Sequence, residues 1–376
     1  MIRKIIGTIY YHRIWFKGLI SNFRYVKGQL IFMKSHLILT LVFLSIQFCM
    51  AQKSARLDSL YSSIEYEQAI ELGREMLVNV PTDPTVNHIL GRALADTKKY
   101  SEAKPYLLQS ADSESPEWMQ AWSYAYLGIC EYISDNKVDS KVYLEKTLAL
   151  NATKNSNKFA QNHLNWFQMT EYFEDWQVVE KEHIRFYFQP NHGIENLNEY
   201  CDTRENAYQI NNQFFEAEPY KKIDYFVWSK PKDAIKIVGK NLGFADSDLC
   251  KINSSINQTI GHEMTHILCD FGMKPTNRNR LINEGVAVAF DLSHSDKMKA
   301  AIRTNTENLG IKDIYERAEE LPEAYIYPVG GAFIEYLLKN FGDEKLKSLL
   351  RDQSWNHLIE LYGTEVLAEF DKKIKS

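Results

Sequence analysis

One short stretch constrains the fold and chemistry of this 376-residue chain more than any other, the sequence HEMTH that begins at His262. If the stretch is helical, residues four apart lie on one face, a turn apart. The imidazoles of His262 and His266 can then bind one zinc ion, and the carboxylate of Glu263 can reach a water on that ion. Cap residues, apolar spacing and a glycine predict a helix that starts after residues 253–255 and stops near Gly272.

The motif alone is short enough to occur by chance, in a helix with two ordinary histidines. A second stretch, residues 280–290, argues against chance, because it is an apolar helical pattern in which Glu284 is the one acidic residue. A lone carboxylate on an apolar helix is costly to bury unless it is paired or binds a metal. Three protein ligands and an open position for water are typical of a catalytic zinc site, whereas a structural site has four ligands. We therefore predict that His262, His266 and Glu284 bind one catalytic zinc ion.

The HExxH motif together with the sequence NEG around Glu284 resembles the gluzincin zinc metallopeptidases, in which the third ligand is a glutamate on a following helix. The metzincin pattern HExxHxxGxxH does not fit, because Cys269 and Gly272 stand where it requires glycine and histidine. The closer likeness is to the aminopeptidase-like branch and to the peptidase MA-like domains of bacterial envelope proteins. It covers roughly His183 to the C-terminus. Val288 stands where the thermolysin-like branch has the aspartate that orients a ligand histidine, so that partner is unassigned.

The resemblance implies a fold and roles for several residues. The expected catalytic domain, residues 181–376, has a small mixed sheet with an edge strand over the cleft, followed by a mostly helical part. Glu263 is expected to act as general base on a water activated by zinc, which also polarises the scissile carbonyl. Tyr327 matches a tyrosine that this branch has in a YxxG context, which implies that its hydroxyl stabilises the oxyanion. Tyr325 is the alternative, since both tyrosines point the same way on a strand-like segment.

The activity implied by the resemblance is hydrolysis of peptide bonds in a peptide or protein substrate. Aminopeptidases of this branch hold the substrate's amino terminus with a GxMEN motif, which this sequence lacks, and an endopeptidase is therefore favoured. Two other functions stay open, namely a non-catalytic adaptor with a degenerate peptidase-like domain and a zinc hydrolase of a non-peptide substrate. The intact HExxH motif, Glu284 and Tyr327 argue against degeneration.

Around the two motifs, the sequence predicts further strands and helices. Residues 184–188 and 222–228 have the pattern of strands, and a long helix is expected at 194–215. Residues 250–253 are predicted to be the edge strand, just before the zinc-binding helix. Further helices are predicted at residues 296–304, 311–320, 331–341, 343–350 and 365–374.

Residues 52–178 have a weak internal repeat that predicts a helical domain. The sequences YEQA, YSEA and KVDS begin at residues 66, 100 and 137, so the steps are 34 and 37 residues. This pattern resembles tetratricopeptide (TPR) repeats, helix pairs that stack because no single pair covers its own apolar face. A further helix at about 156–173 is expected to cap the stack. The region is either a spacer or a docking surface for a protein partner, and the whole chain is predicted to be α+β.

The beginning of the chain has the pattern of a targeting segment. Residues 33–51 combine a basic start, a short apolar run and a final small residue, which predicts a secretory signal cut between Ala51 and Gln52. The apolar run is too short to span a bilayer comfortably, so no integral membrane span is expected in the mature chain. We predict an exported protein, periplasmic, envelope-bound or secreted. Residues 1–32 are then a start-site artefact, an extended basic region or a membrane anchor.

Charge and cysteine usage narrow the possible partners. The chain has a net charge of −5, and its first 51 residues carry seven basic and no acidic side chains, so the mature chain has a charge of about −12. Such a charge argues against nucleic acid or an anionic membrane surface as a partner.

The cysteines of the mature chain have no paired spacing, and their disulfide state is not predicted. They are Cys130, Cys201, Cys250 and Cys269.

Overall fold

The computed structural model describes residues 51–111, 114–293 and 295–375. The predicted signal segment therefore lies, apart from its last residue, outside the described residues. The chain divides into two compact units, residues 1–126 and 127–376, and the predicted domain boundary near residue 180 lies inside the second. The fold is α+β and mostly helical, with one mixed five-stranded sheet. Within the described ranges, no helix is both long and apolar enough to cross a membrane.

The first unit is helical. A helix over residues 51–62 (α1) is followed by α2 (Tyr66–Leu77), α3 (Pro84–Asp96), α4 (Tyr100–Ser110) and the first part of α5 (Glu117–Ile133). The start of α3 follows from its sequence: the Asp83 carboxylate accepts hydrogen bonds from two backbone N–H groups, and proline occupies the first helical position. The three repeat sequences each begin a helix, namely α2, α4 and, in the second unit, α6 (Lys137–Leu150).

The helical part of the second unit continues with α7 (Lys154–Trp166). The helix predicted at 156–173 is therefore too long, and its end is wrong. The backbone leaves the helical region at Gln168, which has a φ of 58°, and a short 3-10 turn follows at Glu171–Phe173. This break turns Phe173 and Trp176 into a small apolar cluster with Phe226 and Trp228 of the sheet.

The sheet has the strand order β1-β2-β3-β5-β4. Its strands are β1 (Gln177–Glu180), β2 (Ile184–Phe188), β3 (Ile223–Trp228), β4 (Phe244–Asp246) and β5 (Lys251–Ser255). The inner strands β2, β3 and β5 are parallel, and β1 and β4 pair antiparallel at the two edges. The predicted edge strand at 250–253 is thus an interior strand, and β4 is the edge.

The remaining helices pack on the sheet and on one another. They are α8 (Leu197–Phe215), α9 (Pro231–Val238), α10 (His262–Met273), α11 (Arg280–Ala289), α12 (Lys297–Thr304), α13 (Ile311–Glu316), α14 (Glu323–Phe341), α15 (Asp343–Arg351) and α16 (Trp355–Ile374, kinked at Gly363). Helices α11 and α14 cross at two glycines: a Cβ on Gly285 would lie 2.7 Å from the backbone of Gly330. Only residues without a side chain allow backbones to approach so closely.

Two of the predicted helix starts that differ from the structure lie at the candidate site. The HExxH helix begins at His262 rather than after residues 253–255, which pair with β3 as strand β5. Helix α14 begins at Glu323 rather than at Gly331, so Tyr325 and Tyr327 lie on a helix and point in different directions.

Cysteine side chains are buried in the second unit. Cys201, Cys250 and Cys269 are free thiols, and Cys130 is also buried. Burial raises the pKa of Cys201 to about 11 and that of Cys250 to about 12, so neither is a reactive thiolate near neutral pH.

Candidate metal centre

The centre starts from the way α10 begins. Gly261 has a φ of 92°, a left-handed conformation that favours glycine, and this lets the turn at residues 256–261 lead from β5 into the helix. His262 and His266 then lie one turn apart on the same face, with ring centroids 5.2 Å apart. The local sequence therefore places both imidazoles side by side.

Glu284 of α11 faces the two imidazoles. Its Oε2 atom lies 3.5 Å from Nε2 of His262 and 3.5 Å from Nε2 of His266. Two ligand atoms at zinc-bond length and a tetrahedral angle are separated by about 3.3–3.6 Å. The same Oε2 is buried and has no hydrogen-bond partner in the structure. Because a buried carboxylate oxygen that accepts no hydrogen bond is costly, its position between the two imidazoles fits a bound metal ion.

Charge interactions shift the pKa values of Glu284 and His266 in opposite directions. Burial disfavours the charged form of Glu284, but the two imidazoles outweigh it and hold the pKa of this carboxyl well below its usual range. Burial likewise disfavours the charged form of His266, but the carboxylates of Glu284 and Glu263 outweigh it and raise the pKa of this imidazole. Glu284 is thus ionised, which is the state in which a carboxylate binds a metal, and a proton would compete with any metal bound at His266.

Glu263 lies beside the ligands and is nearly buried, with 5% of its surface exposed. Burial raises the pKa of its carboxyl, against the opposing effect of the two imidazoles. Its Oε1 accepts a hydrogen bond of 3.3 Å from the Gln258 side-chain amide. A carboxylate with a raised pKa, held next to a metal position, is suited to accept and release a proton.

Tyr327 lies against the same centre, with its ring centroid 5.3 Å from that of His262. Burial raises the pKa of its hydroxyl, and the carboxylates of Glu284, Glu323 and Glu263 act in the same direction. The hydroxyl is therefore protonated and able to donate. The alternative, Tyr325, points away and donates its hydroxyl to Asn305 in the core.

The centre opens into a cleft of about 520 Å³. One wall of the cleft is formed by residues 241–243, just before the edge strand β4. The other wall is formed by residues of α11, α12 and the start of α14. Lysine and aspartate meet in the second wall, where Lys297 Nζ lies 3.3 Å from Asp291 Oδ1. Besides these two, the lining residues are Asn241, Leu242, Gly243, Gln258, Thr259, His262, Glu263, Val288, Ser295, Ala300, Glu323, Tyr327 and Pro328.

Sequence reasoning missed several residues of this site. Gln258, Lys297 and Glu323 belong to no motif and reach the cleft only through the fold. A second group of possible ligands, Glu182, His183 and Glu205, lies elsewhere in the unit. There Nδ1 of His183 is only 2.6 Å from Glu205 Oε1, a hydrogen-bond distance too short for two ligands of one ion, and we assign no metal to it.

Comparison with models of known protein families finds no match to this chain. A search of curated proteins likewise finds no significant match.

Proposed function

We propose that the chain is a zinc-dependent metallopeptidase of the gluzincin type, with His262, His266 and Glu284 as the ligands of one zinc ion. The observation that carries this proposal is the position of the buried Oε2 of Glu284, which accepts no hydrogen bond in the structure and lies 3.5 Å from both imidazole Nε2 atoms. When bound, zinc supplies a Lewis acid that activates water and polarises a carbonyl.

The side chains around the ligands supply the remaining chemistry. Glu263 accepts a proton from the attacking water and delivers it to the leaving amine nitrogen. The Tyr327 hydroxyl donates a hydrogen bond to the oxygen on which negative charge develops. Strand β4 is an edge strand of the sheet, and we propose that an extended peptide substrate pairs with its outer edge. These features favour a peptide or protein substrate, and the missing GxMEN motif favours an endopeptidase.

We further propose that the chain is exported, on the sequence of residues 33–51; for its TPR-like helices, a spacer and a docking surface for a protein partner both stay open.

The test combines metal content with turnover on a peptide library, with and without a chelator. Glu263→Gln should keep zinc and the fold but lose about 10²- to 10⁴-fold in kcat, because an amide cannot accept the proton. Glu284→Ala should lose zinc affinity. Glu319→Gln, an exposed glutamate on the surface, is the matched control and should behave as the parent. Near-normal turnover of Glu263→Gln, or full zinc affinity of Glu284→Ala, would contradict the assignment.

A further inference from the structure

Asn211 of α8 touches both helices that carry the metal ligands. Its Nδ2 atom lies 2.9 Å from Thr265 Oγ1 on α10 and 3.1 Å from the carbonyl oxygen of Phe290, at the end of α11. Thr265 directly precedes the ligand His266, and Phe290 lies in the turn that ends the helix of Glu284. Asn211 is 2% exposed and is 54 residues away from Thr265 in the sequence.

Asn211 forms a bridge between Thr265 and Phe290, and only one assignment of donors and acceptors fits its hydrogen bonds. A backbone carbonyl only accepts, so the amide atom that faces Phe290 must be the nitrogen. Its second N–H then points to Thr265 Oγ1, which accepts. The Thr265 hydroxyl donates in turn to the carbonyl oxygen of Gly261, at 2.9 Å. Both amide hydrogens and the hydroxyl hydrogen therefore have a partner, and the bridge is defined in a single orientation.

The bridge lies where the two ligand helices come together. A Cβ on Gly261 would be 3.3 Å from both Asn211 Nδ2 and the Phe290 carbonyl oxygen. A backbone hydrogen bond of 3.0 Å, from Leu292 N to the carbonyl oxygen of Ile260, joins the same two segments. The start of α10 and the end of α11 are thus held at one place, with the Asn211 amide between them.

We propose that Asn211 is a positioning residue for the metal centre. By fixing α10 against the end of α11, it sets the separation between the imidazoles and the Glu284 carboxylate. The inference rests on the proposed function in one respect, since it presumes that His262, His266 and Glu284 bind zinc. Side chains that hydrogen-bond to metal ligands typically contribute about 10- to 100-fold to metal affinity, and we expect Asn211, which bonds to both ligand helices rather than to a ligand, to contribute on that scale.

The test is the zinc dissociation constant of the full chain, measured by competition with a chromogenic chelator, with the melting temperature recorded for each variant. Asn211→Asp keeps the shape of the side chain but cannot donate to Phe290, and Thr265→Val keeps the shape but has no hydroxyl. Both should bind zinc about 10- to 100-fold more weakly than the parent. Thr265→Ser keeps the hydroxyl and should bind zinc like the parent.

Asn212→Asp is the matched control. Asn212 is the next residue on α8, and its side chain bonds only to the backbone of Ala217, at 3.1 and 2.7 Å. This variant changes the same chemical group and is expected to lower the melting temperature without changing zinc affinity. If it weakens zinc binding as much as Asn211→Asp does, the effect is general destabilisation and the inference is wrong.

The remaining outcomes separate the two proposals. A parent chain that binds zinc, with Asn211→Asp and Thr265→Val binding it equally well, would overturn the positioning role alone. A parent chain that binds no zinc would overturn the proposed function itself. Should Asn211→Asp fail to fold, the comparison of Thr265→Val with Thr265→Ser decides, because only Thr265→Ser keeps the hydroxyl that accepts the hydrogen bond from Asn211.

Discussion

Tyr327 and Tyr325 are two residues apart on one helix and face different surroundings, which makes them a matched pair for testing one site residue. The Tyr327 ring is beside His262, whereas the Tyr325 hydroxyl is bonded to Asn305 in the core. If Tyr327 stabilises the oxyanion, Tyr327→Phe should lower kcat by about 10²- to 10³-fold with little change in KM. Steady-state kinetics on a cleaved library peptide measures both constants.

Tyr325→Phe is the control for that prediction. It removes a buried hydrogen bond and should lower the melting temperature, while kcat stays near that of the parent. The reverse pattern would assign the oxyanion role to Tyr325, and two variants with unchanged kcat would remove tyrosine from the mechanism.

Among single residues of the site, the sequence predicts some and not others. His262, Glu263 and His266 follow from spacing along one helix, and Glu284 from being the single acid of an apolar helix; the structure brings all four together. Asn211 could not be found in this way. Its partners are decided by the packing of α8, and nothing in its local sequence distinguishes it from Asn212.

At the scale of elements, the crossing of α11 and α14 determines where Glu284 and Tyr327 stand. Gly285 directly follows Glu284, and an added Cβ there would overlap the Gly330 backbone at 2.7 Å. We expect Gly285→Ala to push the helices apart, to cost about 1–3 kcal/mol in the free energy of unfolding and to weaken zinc binding. Chemical denaturation and chelator competition measure the two effects.

Gly73→Ala serves as the control for the crossing. It is also a helical glycine, but its added Cβ would lie 3.2 Å from the Cβ of Leu90, a tight contact that a shift of a few tenths of an ångström relieves. Its cost should therefore be smaller than that of Gly285→Ala, and zinc affinity should be unchanged. Equal destabilisation by the two variants would show that the close crossing has no special effect.

The boundaries of elements were less predictable than their existence. Asn253 and Ser254 are residue types that commonly cap helices, yet both lie in the interior strand β5. The fold supplies partners for their side-chain oxygens: Asn253 Oδ1 accepts from Gln168 and from Trp228, and Ser254 Oγ accepts from Tyr225. These partners are distant in sequence, so the pattern around the motif favoured a longer helix than the one that forms.

At the scale of the whole molecule, charges buried on the face of the sheet make stability depend on pH. Lys251 on β5 is fully buried, and its ammonium donates to the Trp166 carbonyl. Burial lowers the pKa of Lys251 to about 7, although Asp246 and Asp224 act in the opposite direction. In the unfolded chain the pKa is about 10.4, so between pH 7 and 10 the unfolded state binds more protons than the folded state.

Lys251 should therefore make the free energy of unfolding rise with pH above 7, by at most about 1.4 kcal/mol per pH unit, whereas the buried thiols, whose pKa values are raised, act in the opposite direction above about pH 8.5. Lys251→Met should remove the Lys251 contribution and make the slope of the free energy of unfolding against pH less positive than in the parent, as measured by urea unfolding at pH 7, 8 and 9. Lys240→Met is the control, because Lys240 is an exposed cation over the same Trp166 ring, and its loss should leave the slope unchanged. A slope that is the same in the parent and in Lys251→Met would contradict the prediction.

The buried thiols make it possible to measure how often different parts of the fold open. Cys201 lies on α8, Cys250 just before β5 and Cys269 on the helix of the HExxH motif. A thiol that is buried and protonated does not react with an alkylating reagent until its surroundings open. The rate at which each cysteine is alkylated therefore reports how often the surrounding element opens. Cys269 reports the opening of α10, the helix of the HExxH motif, and no label has to be introduced into the chain.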